Sequence, residues 1–297
     1  MKIIDLHQVD AFTDKIFGGN PAGVVTNADG LNDEEMLKIA REMNLSETAF
    51  VLTPTSGIAD IKLRYFTPTA EIKFCGHATV GALYELSRLN MYNLGNQGVN
   101  DVKVETNAGV LEMSVIRDDN KPVVKFTAPG VEMDDFRLQG KAFAEEFGIP
   151  ADVLQPDTKI LIDRTLNYIY IPVVSLDELG KLEFDFTRIR SKFTHDGIVV
   201  FCFFTNDTFS ENSDLHARGL APLVGVDEDP FTGSMQSGLI HAAKLSGAIK
   251  SAQRKVIIEQ GNFIGRPGFA EIDHDNITDI LHVTANAIQV FSTKMEV

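Results

Sequence analysis

The sequence predicts an α+β protein built of two related halves, each a set of strands gathered around one apolar helix. Three observations carry this prediction. An Arg followed four residues later by Pro occurs twice, at Arg64 and Pro68 and again 154 residues on at Arg218 and Pro222. Each copy leads to a glycine that opens an apolar helix and recurs five positions later, Gly76 and Gly81 in the first, Gly233 and Gly238 in the second, now 157 residues apart. One three-residue insertion reconciles the copies, the mark of a duplicated unit. Strand-like segments outnumber helical ones without alternating strictly with them, which argues against a doubly wound sheet. With 297 residues, 44% of them hydrophobic, the chain has apolar material for two ordinary cores.

In the first half, residues 3–12 and 22–26 read as strands separated by the turn Gly18-Gly19-Asn20-Pro21. A helix follows, capped by Asn32 or Asp33, with acidic residues in its first turn and Met36, Leu37, Ile39, Ala40 and Met43 along its apolar face. Residues 48–53 and 58–67 are strand-like, and 78–89 form the first glycine-opened helix. The run 102–115 contains Asn107-Ala108-Gly109, a hairpin turn, and 123–127 makes another strand. From about Ala128 the order repeats with variations. Residues 142–147 are helical, 168–174 and 198–205 are apolar strands, and 235–246 form the second glycine-opened helix. Further strands are expected at 255–260, 268–272, 280–283 and 287–291.

The 27 Lys and Arg against 42 Asp and Glu give a net charge of −15, which opposes a broad grip on nucleic acid or on an anionic membrane. An anionic ligand would have to be attracted by local means such as helix N-termini. The first ten residues carry Asp5 and read as a strand rather than a signal peptide, and no apolar run reaches membrane-spanning length, so a cytoplasmic protein is expected. Cys75 and Cys202 are the two cysteines and show no disulfide or zinc spacing. The motifs of nucleotide, flavin, metalloprotease and serine-hydrolase sites are absent from the sequence.

Several residues are candidates for chemistry. Gly76-His77 and Gly233-Ser234 place uncovered N–H groups at a helix start, where a carboxylate can approach closely; the bland alternative is that these glycines serve helix packing. Glu47, at the entry to an apolar strand, would lose hydration there, which raises a carboxyl pKa toward the range of general acid–base work; the alternative is a solvated helix-terminal carboxylate. His77 is a neutral hydrogen-bond partner or proton carrier whose charged form a helix N-terminus disfavours. Asp229 precedes Pro230 in a turn, where an Asx-turn is the usual role, but it lies close to Gly233-Ser234. Cys75 is a thiol candidate or a small buried hydrophobe. Arg266, in a glycine-rich loop, could pair with a ligand or with a surface acid. The remaining histidines show no metal-ligand spacing.

At these residues the chain resembles the family of phenazine-biosynthesis isomerases, which share the two-lobed fold of diaminopimelate epimerase. The matching segments are Asp10-Ala11-Phe12 with Gly19-Asn20-Pro21, Ser46-Glu47-Thr48-Ala49-Phe50, Arg64 through Pro68 to Glu71, and Phe74-Cys75-Gly76-His77-Ala78-Thr79. Glu228-Asp229-Pro230 with Thr232-Gly233-Ser234, and Gln260-Gly261 with Gly265-Arg266-Pro267, complete the set. The resemblance implies lobes of mainly antiparallel, barrel-like sheet around a central helix, at 1–127 with 284–297 and at 128–283. It further implies a site without cofactor or metal in the cleft between them, and a homodimer. By position, Glu47 would be the proton carrier, supported by His77, Asp229 and Ser234. Gly76, Gly233, Asn20, Ser46 and Thr232 would bind substrate. Two departures stand out: Cys75 has no cysteine opposite it in the second copy, which disfavours a two-thiol racemase, and Gly268 stands where the family more often has Ser.

The expected function is a cofactor-independent isomerase that moves a proton within a small anionic carboxylate, with no nucleic-acid or membrane partner. The alternatives are a Cys75-assisted epimerase and a ligand-binding protein that keeps the scaffold without the chemistry.

Overall fold

The computed structural model describes residues 2–118, 121–128 and 130–297. The chain divides into two compact units, residues 1–127 with 284–297 and residues 128–283. The first unit contains β1 (Ile3–Ala11), β2 (Asn20–Val25), α1 (Asp33–Met43), β3 (Glu47–Leu52), β4 (Ile61–Phe66) and β5 (Glu71–Ile72). It continues with α2 (Gly76–Arg88), β6 (Gly98–Thr106), β7 (Gly109–Asp118) and β8 (Lys121–Thr127).

Strand β1 pairs antiparallel with β2, β2 parallel with β3, β3 antiparallel with β4, and β4 parallel with β6. The hairpins β6–β7 and β7–β8 follow, and the short β5 lies antiparallel on β4. The chain's last strand, Ile280–Glu296, pairs with both β1 and β8 and closes the ring. Helix α2 packs against β1, β2, β3, β7 and β8, which is why its apolar residues are buried on nearly every side rather than along one stripe. Helix α1 is amphipathic instead. Asn32 caps it in a full capping box, its side chain accepting from the Glu35 amide at 3.0 Å while Glu35 accepts from the Asn32 amide at 2.8 Å.

The second unit contains β9 (Met133–Asp135), α3 (Gly140–Phe147), β10 (Leu161–Asp163), β11 (Tyr168–Pro172), α4 (Leu176–Lys181) and α5 (Phe186–Phe193). Then come β12 (Val200–Thr205), β13 (Leu215–Ala221), β14 (Val226–Asp229), α6 (Gln236–Leu245), β15 (Lys255–Gln260) and β16 (Gly268–Asp275), leading into β17, the closing strand named above. Strand β10 is antiparallel to β11, β11 parallel to β12, β12 antiparallel to β13, β13 parallel to β15, and β15 antiparallel to β16, with β14 laid on β13. This is the pairing pattern of the first unit, so β2 to β7 correspond to β11 to β16. Its core is aromatic: Phe143, Phe147, Phe193, Phe201 and Phe203 are fully buried against one another.

The register makes the correspondence residue by residue. Phe50 faces Arg64 across β3 and β4, and Phe203 faces Arg218 across β12 and β13. Each Arg makes a two-pronged hydrogen bond to a Glu on the short strand that precedes the glycine-opened helix. Arg64 reaches Glu71 at 2.7 and 2.8 Å, and Arg218 reaches Glu228 at 3.0 and 2.7 Å. The repeated Arg is therefore a clasp on the protein's own carboxylate, a geometry that the planar guanidinium suits. A second repeated device anchors the loops between β3 and β4 and between β12 and β13. Glu105 accepts from the Thr55 and Ser56 amides and pairs with Lys62, while Glu259 accepts from the Phe209 and Ser210 amides and contacts His216.

The recurring second glycine has a packing reason. A Cβ at Gly238 would lie 2.2 Å from the Tyr170 hydroxyl oxygen, whereas at Gly81 it would meet Val9 and Ala22 at ordinary contact distance. Two expectations need correction, and three elements were not foreseen. The segments 280–283 and 287–291 belong to one seventeen-residue strand, which pairs with β1 over Ala287–Glu296 and continues back to Ile280. Helices α4 and α5 and the strand β13 had no clear signal: α4 is only six residues long, and the polar His216, Arg218 and Gly219 interrupt the apolar pattern of β13. Gly233 opens a turn of 3-10 helix, Gly233–Met235, ahead of α6.

Arg218 and Glu228 have side chains about one-tenth exposed, against 17% and 27% for Arg64 and Glu71. Arg218→Ala should cost roughly 3–5 kcal/mol of unfolding free energy, because it leaves Glu228 buried without its partner. Arg64→Ala should cost clearly less. Denaturant titration of both variants checks this, and equal losses would contradict the burial argument.

Candidate active site

In the first unit the site forms where β3 and α2 begin. Parallel pairing sets Glu47, the first residue of β3, beside Ala22 of β2. Asn20, buried at the start of β2 and paired with Ala11, lies two residues before that position. The loop that follows β5 delivers Cys75 as the N-cap of α2, so Gly76 and His77 occupy its first turn. Glu47, Ser46, Cys75 and His77 then converge. His77 Nε2 is 3.1 Å from Glu47 Oε2 and 3.3 Å from Ser46 Oγ. Cys75 Sγ lies 3.4 Å from His77 Nδ1.

The Glu47 carboxyl is mostly buried, with its side chain 17% exposed, and Oε2, the oxygen nearest His77, is fully covered. Burial by itself would push its pKa up, as expected. Hydrogen bonding and charge from His77, helped by Ser46 and Cys75, outweigh burial and hold the carboxyl below its ordinary value. Glu47 is thus a carboxylate at neutral pH. The expectation for His77 also reverses. Burial and the helix start oppose its charge, but the adjoining sulfur and carboxylate raise its pKa well above the usual histidine value. Burial pushes the Cys75 thiol up, which leaves Glu47 as the anionic partner of His77.

Gly76 is not explained by packing: no protein atom lies within 4 Å of where its Cβ would sit, and its φ is not positive. Cys75 contributes no side-chain cap to the first-turn amides. The start of α2 therefore combines uncapped backbone donors with open space, the arrangement that accepts an anion.

In the second unit, Asp229, Thr232, Gly233 and Ser234 lie together at the turn before α6. The Thr232 hydroxyl donates to Asp229 Oδ2 at 2.5 Å, and the Thr232 amide donates to Gln260 Oε1 at 3.1 Å. Gln260 Nε2 donates to the Asp229 carbonyl at 2.8 Å. Ser234 Oγ is 3.0 Å from the Tyr168 hydroxyl. Tyr168 and Gln260 are the polar neighbours that sequence reasoning missed as site residues. Gln260 stood inside a quoted motif, while Tyr168 was hidden in an apolar strand. Arg266 is engaged within the protein, and its loop has a structural reason: a Cβ at Gly261 would come within 2.6 Å of the Pro230 carbonyl oxygen.

The ligand atoms of Glu47, Cys75 and His77 lie within 4.8 Å of one another, as do those of His241, His274 and Asp279. In the second cluster Lys244 Nζ sits 2.6 Å from His274 Nδ1, so a cation already occupies its flank. The two histidines share Asp279 Oδ1 at 3.1 and 2.7 Å, a hydrogen-bonded surface network. These histidines, scattered in the sequence, are brought together by the β16–β17 turn and α6.

A unit of mixed sheet around a helix, present twice, with a carboxylate and an imidazole at the helix start of one copy, defines an α+β fold that carries a candidate acid–base pair. The chain belongs to the phenazine biosynthesis-like family, whose model (PhzC-PhzF) matches residues 9–293. It is 35% identical to an uncharacterized isomerase of Clostridium acetobutylicum, over 98% of this chain and 97% of that protein. Its fold matches the crystal structure of a PhzF-family phenazine biosynthesis protein of Bacillus anthracis with a TM-score of 0.86, at 29% identity and full coverage of both chains. A hydroxyproline epimerase of Agrobacterium vitis shares the fold at a TM-score of 0.64 and 12% identity, over 99% and 91% of the two chains. Among the described residues no helix is long and apolar enough to cross a membrane.

Two outcomes follow from the first-unit geometry. Glu47, with its pKa depressed, stabilises the fold fully above its ordinary value of 4.5, and this is lost as pH falls through the lower folded value. His77, with its pKa raised, stabilises fully below 6.5 and loses this as pH rises through the higher folded value. The stability lost in Glu47→Gln should therefore be greatest between pH 4.5 and 6.5 in denaturant titrations, and a loss independent of pH would refute the ion pair. Separately, Gly76→Ala should hold or raise Tm, since Ala gains roughly 0.5–1 kcal/mol over Gly in a helix, yet should raise KM because the methyl fills the open approach.

Proposed function

We propose that the protein is a cofactor-independent isomerase that moves a proton within a small carboxylate substrate, with Glu47 as the acid–base group. The observation that carries this reading is the Glu47 carboxylate itself, mostly buried and held 3.1 Å from the His77 imidazole beside the open start of α2. A carboxylate so placed, within reach of an imidazole, is suited to exchange a proton. Glu47 removes a proton from the carbon next to the substrate's activating group, and the same carboxyl returns it elsewhere on the conjugated system. The uncapped amides at Gly76 and Gly233 take the substrate's anionic group and the charge that develops on it, a role in which a single positioned donor is worth about 3–4 kcal/mol.

In the second unit Asp229 and Ser234 are assigned supporting polar roles and Thr232 a binding role, and in the first unit Ser46 and Asn20 shape the binding surface. A thiol base at Cys75 is the weaker alternative. Burial keeps it protonated, and the corresponding residue of the second repeat is Thr232.

The test is solvent deuterium incorporation into a panel of small carboxylates and amino acids in heavy water. Glu47→Gln should lower exchange by at least about 10²-fold, within the range general acid–base groups supply, with the fold unchanged by circular dichroism. Ser234→Ala and Asp229→Asn should give smaller losses. Near-normal exchange in Glu47→Gln would sink the assignment.

A further inference from the structure

His77 has different surroundings at its two ring nitrogens. Nε2 meets Glu47 Oε2 and Ser46 Oγ, while Nδ1 is nearest to Cys75 Sγ, which lies 3.4 Å from Nδ1 and 3.8 Å from Nε2. A carboxylate demands a donor, so Nε2 must carry a hydrogen for the contact with Glu47 to be favourable. In neutral His77 that leaves Nδ1 bare and in need of a donor. In charged His77, Nδ1 carries a hydrogen and needs an acceptor. A thiol is a weak donor and a weak acceptor, and so serves both states.

We infer that Cys75 is a positioning residue whose thiol holds the Nδ1 side of His77, so that Nε2–H faces Glu47 in both protonation states of the ring. The role presupposes the acid–base reading of Glu47 given above. Two independent features support it. Cys75 is the N-cap of α2, yet its side chain makes no capping hydrogen bond and is buried against the imidazole instead. The corresponding residue of the second repeat behaves alike: Thr232 also caps nothing and spends its hydroxyl on Asp229, an ionisable neighbour in its own turn. The position before each helix-opening glycine thus orients an adjacent polar group in both units. Burial keeps the Cys75 thiol protonated at neutral pH, as the donor role requires. The titratable groups that act on His77 are Glu47, from β3, and Cys75.

The experiment compares wild type, Cys75→Ala and Cys75→Ser by two readouts. The first is the imidazole nitrogen spectrum of ¹⁵N-histidine-labelled protein across pH, with His77→Gln identifying the signal among the seven histidines. The second is the pH profile of proton exchange. Wild type should show His77 as the Nε2–H tautomer once neutral. Cys75→Ala should mix the tautomers, move the His77 titration to lower pH because Nδ1–H of the charged ring loses its acceptor, and cut kcat on the order of ten-fold. Cys75→Ser should restore tautomer, titration and most of kcat, since a hydroxyl donates and accepts like the thiol. An unchanged His77 spectrum in Cys75→Ala would reduce the thiol to filler and overturn the inference. So would a Ser variant with restored His77 signals but no activity, which would make the thiol a reacting group. The nitrogen spectra judge Cys75 even where Glu47→Gln retains turnover, so failure of the acid–base reading is read separately.

Discussion

The clasp of Arg64 on Glu71 determines where the first unit's helix begins. Arg64 sits on β4, whose neighbour β3 starts at Glu47, and Glu71 sits on β5, a strand of only two residues that could not hold its place by ladder hydrogen bonds alone. A two-pronged charge-assisted bond supplies what the short ladder cannot. Once β5 is fixed on β4, the few residues that follow bring Cys75, Gly76 and His77 to the mouth of β3. The 3.1 Å contact between Glu47 and His77 is therefore a consequence of a salt bridge that touches neither residue.

The second unit keeps this frame and changes what it carries. Arg218 clasps Glu228 as tightly, Glu259 anchors its loop as Glu105 does, and α6 starts after the same kind of turn. Yet register places Val200 where Glu47 stands, and sequence places Ser234 where His77 stands. The polar pair at that corner becomes Tyr168 with Ser234, a neutral couple with no carboxylate. The repeat preserves residues that fix geometry and varies those that hold charge. Duplicated frames tolerate this, since backbone placement depends on the clasp and the ladder rather than on the side chains at the helix start.

Much of this was legible in the sequence, and the parts that were not share a cause. The repeat, the two glycine-opened helices, the Asn32 cap and the 107–109 hairpin are local signals, carried by residues whose neighbours in space are neighbours in sequence. The partners of the repeated Arg were not legible, although Glu71 and Glu228 lie only seven and ten residues away, because nothing in the spacing distinguishes a carboxylate of the protein from one of a ligand. Glu47 is picked out as a carboxyl that loses hydration at a strand entry, but the sign of its pKa shift turns on His77, thirty residues distant, whose approach depends on the β3–β4 and β4–β5 pairings. Tyr168 and Gln260 escaped for the same reason: each meets residues at the turn before α6 that are distant in sequence, Ser234 for Tyr168, Asp229 and Thr232 for Gln260.

The net charge of −15 sets the terms on which an anion can be held at all. Lysine and arginine would be the direct solution, but both repeated arginines are consumed by internal carboxylates, and among the described residues the groups around Glu47 are Ser46, Cys75 and His77. A lysine or arginine there would compete with His77 for Glu47, the carboxylate that already carries the imidazole as its partner. Backbone amides at an uncapped helix start avoid the conflict, because they offer partial positive charge that falls off within a turn and bring no proton of their own to the exchange. The open space at Gly76 and the His77 partner of Glu47 are thus two parts of one electrostatic arrangement, in which a helix start is left free of fixed charge while the carboxylate is met by a side chain.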